Sequence, residues 1–230
     1  MFARYTEEEL DLIVEEACGQ SQGAQIYDEL RRLVSVLNRS DIHSVVEIGS
    51  ELGSTLLVWS KLFSPLRLFS VDLNSYPHVV GKTVELEDQW KSWMGKNQTL
   101  DVIWGDSHAQ ATKDRLRSSL ALRGLTQVDF LYVDGDHSEA GVEQDYNMYK
   151  EFVRSPGIIM FHDVLPYPGR ESDGEKGLGV GVYKFWNRFK GQAIDMFQDR
   201  TYHKGLRPNF LEIFHDKEKQ SSMGYGVVFV

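Results

Sequence analysis

The segment Asp129–Val164, DFLYVDGDHSEAGVEQDYNMYKEFVRSPGIIMFHDV, constrains this chain more than any other stretch. Two apolar, strand-like runs flank one helix-length segment, and each run ends in ionisable groups. FLYV leads into Asp134, Asp136 and His137; GIIMF leads into His162 and Asp163. Consecutive parallel strands joined by a crossover helix place their carboxyl ends on the same edge of the sheet. Three carboxylates and two imidazoles are therefore predicted to meet in one crevice, where open α/β sheets bind ligands. The expectation is an active site.

The preceding sequence has the same rhythm. Candidate strands are Val45–Ile48, Leu68–Asp72, Asp101–Trp104, Asp129–Val133 and Ile158–Phe161, with helix-compatible segments near 54–63, 82–94, 109–123 and 139–154. Repeated βα units imply a doubly wound, mainly parallel α/β sheet with helices on both faces. Two further helices are expected before it. Thr6 and Glu9 resemble a capping box, and Ile26, Leu30, Leu33, Val34 and Leu37 share one helical face. Residues 1–40 thus read as a helical extension of a domain over 41–230, in one compact unit. Residues 165–179, rich in Gly, Pro and charge, read as a loop leaving the Asp163 cluster and closing over bound substrate. A helix around 180–190 follows. The late apolar runs Phe210–Phe214 and Gly226–Val230 suit an antiparallel pair closing the sheet edge.

At 230 residues the chain suits one sizeable α/β domain. Its net charge of −9 argues against nucleic acid or an anionic membrane as the main partner, since both favour a basic face. The single cysteine, Cys18, cannot form an internal disulfide. The N-terminus MFARYTEEELDL lacks the charged-then-apolar pattern of a secretion signal. A soluble cytoplasmic protein is the expected class.

The first strand ends in VVEIGSELGST, where Gly49 and Gly53 permit a tight turn and close approach to a ligand. This is neither the Gly-x-Gly-x-x-Gly dinucleotide fingerprint nor a P-loop. The second strand ends in Asp72, placed to accept hydrogen bonds from ribose hydroxyls. The third runs into Gly105–Asp106–Ser107, a polar turn on the same edge. Plainer roles exist for several of these groups. Asp106 can cap the following helix, Asp136 can serve a local turn, and His162 can bond its neighbours structurally.

Taken together, Glu47-x-Gly49-x-x-x-Gly53, Asp72, Gly105–Asp106–Ser107 and the Asp134 and Asp163 strand ends resemble a class I S-adenosylmethionine-dependent methyltransferase. YVDGDHSEAGVEQD and IIMFHDV resemble, more narrowly, the group of macrolide-sugar O-methyltransferases, cephalosporin-hydroxylase-like proteins and rhamnosyl O-methyltransferases. The resemblance implies a Rossmann-like methyltransferase fold, a seven-stranded sheet with an antiparallel C-terminal strand. It implies S-adenosylmethionine as cofactor, contacted by Glu47, Gly49, Ser50, Gly53, Asp72, Asp106, Ser107 and Asp134. It further implies Mg²⁺ or Mn²⁺ held by Asp134, His162 and Asp163. His162 stands where metal-dependent relatives have a carboxylate, a departure that either counts against Mg²⁺ or shifts preference toward Mn²⁺ or another imidazole-tolerant ion. His137, three residues beyond Asp134, occupies the place of a general base.

The implied reaction is methyl transfer to a hydroxyl of a sugar, glycoside or other small polar acceptor. The N-terminal helices offer a surface for a homo-oligomer. Three other readings are open at the level of sequence: a metal-independent methyltransferase of this fold, a nucleotide-cofactor oxidoreductase, and a non-catalytic cofactor-binding domain.

Overall fold

Strand and helix alternate through most of the chain, in a computed structural model that describes residues 4–21, 25–165, 181–198, 209–213 and 223–230. Two helices come first, α1 (Glu7–Ser21) and α2 (Tyr27–Leu37). Then follow β1 (Ser44–Ile48), α3 (Ser54–Leu62), β2 (Leu66–Asp72), α4 (Thr83–Ser92), β3 (Gln98–Trp104) and α5 (Gln110–Leu122). The second half holds β4 (Val128–Val133), α6 (Glu139–Tyr149), β5 (Val153–His162), α7 (Val182–Gln198), β6 (Asn209–Ile213) and β7 (Tyr225–Phe229). The loop expected over 165–179 lies outside the described residues from 166 onward. Among the described residues no helix is long and apolar enough to cross a membrane.

All seven strands form one sheet in the order β3-β2-β1-β4-β5-β7-β6. β1 to β5 pair in parallel, and β7 runs antiparallel between β5 and β6. The alternation of side chains along each strand divides the core between the two faces. Val45, Leu68, Phe130, Tyr132 and Met160 face one cluster, which includes Trp59 of α3 and Trp90 of α4. Leu10, Ile13, Val14 and Ala17 of α1 and Leu30, Leu33, Val34 and Leu37 of α2 belong to that same cluster. Val46, Ile48, Phe69, Leu131, Ile159 and Phe161 face the other, closed by α5, α6 and α7.

One element boundary departs from the sequence pattern. The helix expected over 139–154 stops at Tyr149, a single 3₁₀ turn spans Lys150–Phe152, and β5 begins at Val153 rather than Ile158. Pro156 and Gly157 end the apolar signal but not the strand. Val153 pairs with Val128 before a register shift, and Arg154 forms an ion pair with Asp129 across the strands. Main-chain pairing, not side-chain hydrophobicity, extends this strand.

Candidate active site

The strand order reverses direction at β1, flanked by β2 on one side and β4 on the other, and a ligand crevice is expected there. A crevice of about 440 Å³ opens at this carboxyl edge. The turn after β1 forms its floor. Gly49 has φ +83°, and a Cβ on it would lie 2.0 Å from the Asp134 carbonyl oxygen. Only glycine lets this turn press against the end of β4. Gly53 has φ +82°, and a Cβ there would lie 2.2 Å from the Trp90 indole nitrogen.

Asp72 binds this turn to the end of β2. Its Oδ2 accepts from the backbone N–H groups of Ser50 (2.7 Å) and Glu51 (2.9 Å), and its Oδ1 accepts from that of Asn74 (2.6 Å). The carboxylate also lines the crevice. Asp72→Ala should therefore act twice, removing the ribose contact that the resemblance implies and orphaning three N–H groups. With each lost charge-assisted bond costing roughly 1.5–3 kcal/mol, S-adenosylhomocysteine affinity should fall at least about tenfold. Titration calorimetry should show this together with a lowered melting temperature; unchanged affinity would remove Asp72 from the site.

Of the residues predicted for the cofactor, Gly49, Ser50, Asp72, Asp106, Ser107 and Asp134 line the crevice, whereas Glu47 and Gly53 lie outside its lining. Glu47 shares its strand face with Val45 and so points beneath α3. There its fully buried carboxylate accepts from Thr55 Oγ1 (2.9 Å) and Trp59 Nε1 (2.5 Å). Burial pushes its pKa up to about 8, against the pull of these hydrogen bonds. Its place is in the frame that supports the turn. Asp106 does not cap α5 at its first turn. Its Oδ1 accepts from the His108 N–H (2.8 Å) in the local turn, and the residue remains exposed at the crevice. Asp136 is a turn acid as well, accepting from the Ser138 N–H at 2.8 Å.

The groups predicted at the ends of β4 and β5 do converge. His162 Nδ1 lies 3.2 Å from Asp134 Oδ1 and 3.7 Å from Asp163 Oδ1. His137 bridges the two acids, with Nε2 3.4 Å from Asp134 and Nδ1 3.4 Å from Asp163. Burial works against charge on both imidazoles, but the carboxylates outweigh it and push each pKa up to about 9. Burial likewise raises Asp134, yet His162 and His137 more than reverse this and hold it well below the usual carboxylate range. Tyr132 donates to the second Asp134 oxygen at 2.9 Å, and Tyr225 stacks on the His162 ring at 4.9 Å. One donor atom each from Asp134, His162 and Asp163 lies within 4.8 Å of the others. Two carboxylate oxygens and one imidazole nitrogen at that spacing fit a divalent ion that keeps part of its water shell.

Backbone strain is concentrated on the same edge. The described non-glycine residues with positive φ are Glu51 (49°), Asn74 (54°) and Asp163 (58°). Such conformations persist where surrounding structure enforces them, commonly at functional sites. The crevice also has walls that the sequence reading did not assign. Gln25 comes from the turn before α2, Met223 from the segment entering β7, and Tyr76 from the β2–α4 connection. Gln25 Oε1 accepts from the Tyr225 hydroxyl at 2.7 Å, which joins the N-terminal helices to the ring against His162.

A strand order of 3-2-1-4-5-7-6 with β7 reversed, and a glycine turn and strand-end acid facing the β4 and β5 cluster, define the class I S-adenosylmethionine-dependent methyltransferase fold. Residues 46–164 match the family described as "Methyltransferase domain", and the chain belongs to that family. Solved structures with this architecture include the MycE methyltransferase of the mycinamycin biosynthetic pathway, in complex with Mg, SAH and mycinamycin VI. It is 16% identical with a TM-score of 0.58, matched over 99% of this chain and 55% of that one. The chain thus spans about half the length of MycE. The O-methyltransferase TomG from Streptomyces achromogenes, in complex with SAM, is 13% identical over 100% and 92% of the two chains, with a TM-score of 0.56. An O-methyltransferase from Bacillus cereus, in complex with SAH, is 14% identical over 99% and 93%, with a TM-score of 0.54.

Proposed function

We propose that this protein transfers a methyl group from S-adenosylmethionine to a hydroxyl of a small polar acceptor of the sugar or glycoside class, assisted by a divalent cation. The observation that carries this reading is the shared crevice. The glycine turn, Asp72 and Asp106 form one half, and Asp134, His137, His162 and Asp163 form the other. The MycE complex with Mg, SAH and mycinamycin VI supports a divalent ion and a small-molecule acceptor by likeness of fold.

S-adenosylmethionine, when bound, supplies a methyl group on a positively charged sulfur. Asp134, His162 and Asp163 would hold a divalent ion, whose positive charge would lower the pKa of an acceptor hydroxyl. The protein's own residues do the rest. Ser50, Glu51 and Asp72 hold the cofactor half in a fixed turn, and Asp106 borders its far end. His137 takes the hydroxyl proton on a ring nitrogen as the oxygen attacks. Gln25, Tyr76 and Met223 confine the acceptor, so that in-line approach comes mainly from positioning.

Thermal-shift measurements compare the cofactor classes directly. S-adenosylhomocysteine should raise the melting temperature and NAD should not. Stabilisation by NAD alone would overturn the reading in favour of an oxidoreductase. With labelled S-adenosylmethionine and a panel of glycosides, label should appear on a hydroxyl of at least one member.

A further inference from the structure

Asp145 occupies a position where an apolar residue is expected. With Val142 and Tyr149 it lies on the buried face of α6, and it is 0% exposed. A carboxylate so placed is costly unless charge or hydrogen bonds compensate. Its Oδ2 meets the backbone N–H of Asp136 at 3.5 Å and stands where a Cβ on Gly135 would approach to 3.0 Å. Its Oδ1 is one of three buried side-chain polar atoms among the described residues with no hydrogen-bond partner. What it does meet is charge: His108 Nε2, at 3.3 Å.

His108 belongs to the cofactor-side loop, 105–108. Its N–H is fixed on Asp106 Oδ1, and its Nε2 also lies 3.2 Å from the Gly141 carbonyl oxygen. A second tether runs in parallel, with Tyr149 of α6 donating to the Ser107 carbonyl at 2.8 Å. Helix α6 therefore grips the loop after β3 while its buried carboxylate sits behind the loop after β4. We propose that the Asp145–His108 ion pair is a positioning device that holds the cofactor-side loop 105–108 in register with the catalytic loop 134–137. Asp145 does not line the crevice and acts through both loops. The inference rests on the methyltransferase reading and assigns a residue to it.

The charges around His108 fit the role. Asp145 faces it from α6, Asp136 from the loop after β4 and Asp106 from its own loop, while Arg115 of α5 is turned to the Trp104 carbonyl. Asp145 foremost, against the opposing effect of burial, pushes the imidazole up to about 9. A raised histidine pKa contributes stability in full below about pH 6.5 and loses it as pH rises through the folded value.

Three measurements on the full chain test the pair. Histidine NMR titration should place His108 near pH 9 in the wild type and clearly lower in Asp145→Asn, where Asp136 and the Gly141 carbonyl still favour the charged ring. Calorimetry at pH 7 should show S-adenosylhomocysteine affinity reduced about tenfold in Asp145→Asn and in His108→Gln, with the double variant no worse than either. The melting-temperature gap between wild type and His108→Gln should be widest at pH 6 and close by about pH 10. Should Asp145→Asn not fold, His108→Gln still carries the affinity and pH tests. An ordinary wild-type titration, additive losses or unaltered affinity would each overturn the inference. If the wild type binds no S-adenosylhomocysteine, the proposed function fails, whereas the NMR titration still decides the pair.

Discussion

Chelation with EDTA is expected to abolish methyl transfer while leaving S-adenosylhomocysteine affinity nearly unchanged. The separation follows from the layout of the crevice. The glycine turn and Asp72 are fixed by backbone hydrogen bonds on the β1–β2 side, whereas Asp134, His162 and Asp163 lie at the ends of β4 and β5. Mg²⁺ or Mn²⁺ should restore turnover, and Mn²⁺ should be the stronger because His162 offers a nitrogen. Asp163 is the ligand to substitute, with a choice dictated by its backbone. At φ 58° an alanine would add strain, whereas asparagine tolerates this region and removes only the charge. Asp163→Asn should lower activity on the order of 100-fold or more. Metal affinity should fall as pH falls, because the proton on His162, held to about 9, competes with the ion. Full turnover in excess chelator would eliminate the metal and leave the base.

How much of this was legible in the sequence depends on how local the cause is. The convergence of Asp134, His137, His162 and Asp163 followed from one topological rule, since a right-handed βαβ crossover leaves both strand ends on one edge. Cofactor contact for Glu47 is implied only by the family resemblance. Strand parity places its carboxylate with Val45 on the face that α3 covers, where Thr55 and Trp59 donate to it. Asp145 carried a comparable signal, its i+3 and i−4 spacing from Val142 and Tyr149 marking a buried helical stripe. Gln25 and Met223 had no such signal. They reach the crevice only because α2 packs on the sheet beside β7, where Glu29 accepts from the Gly224 N–H at 3.1 Å. That contact spans nearly the whole chain, and no local pattern encodes it. The length of β5 was hidden for a related reason, since Val153 pairs with Val128 through the backbone on the far side of Pro156 from the apolar run.

His137→Ala is expected to lower kcat by roughly 10²–10⁴-fold, the usual share of general-base catalysis, with metal and S-adenosylhomocysteine binding retained. Its imidazole stands between the two carboxylates, 3.4 Å from each, and in this structure they keep it protonated to about pH 9. A protonated imidazole cannot accept the acceptor's proton, so the rate should rise with pH as His137 loses its own. The carboxylates that hold this proton are the ones a divalent cation would neutralise, so the rising limb should lie below pH 9 in the loaded enzyme. His137→Ala should lack that limb altogether. His137→Gln, which keeps a polar group of similar reach, should be equally slow if proton acceptance is the role. Recovery of the rate in the glutamine variant would make His137 an orienting group instead. Full activity of His137→Ala with saturating metal would remove it from the chemistry. The base would then be sought at His162, buried against Asp134, or at the exposed turn acid Asp136.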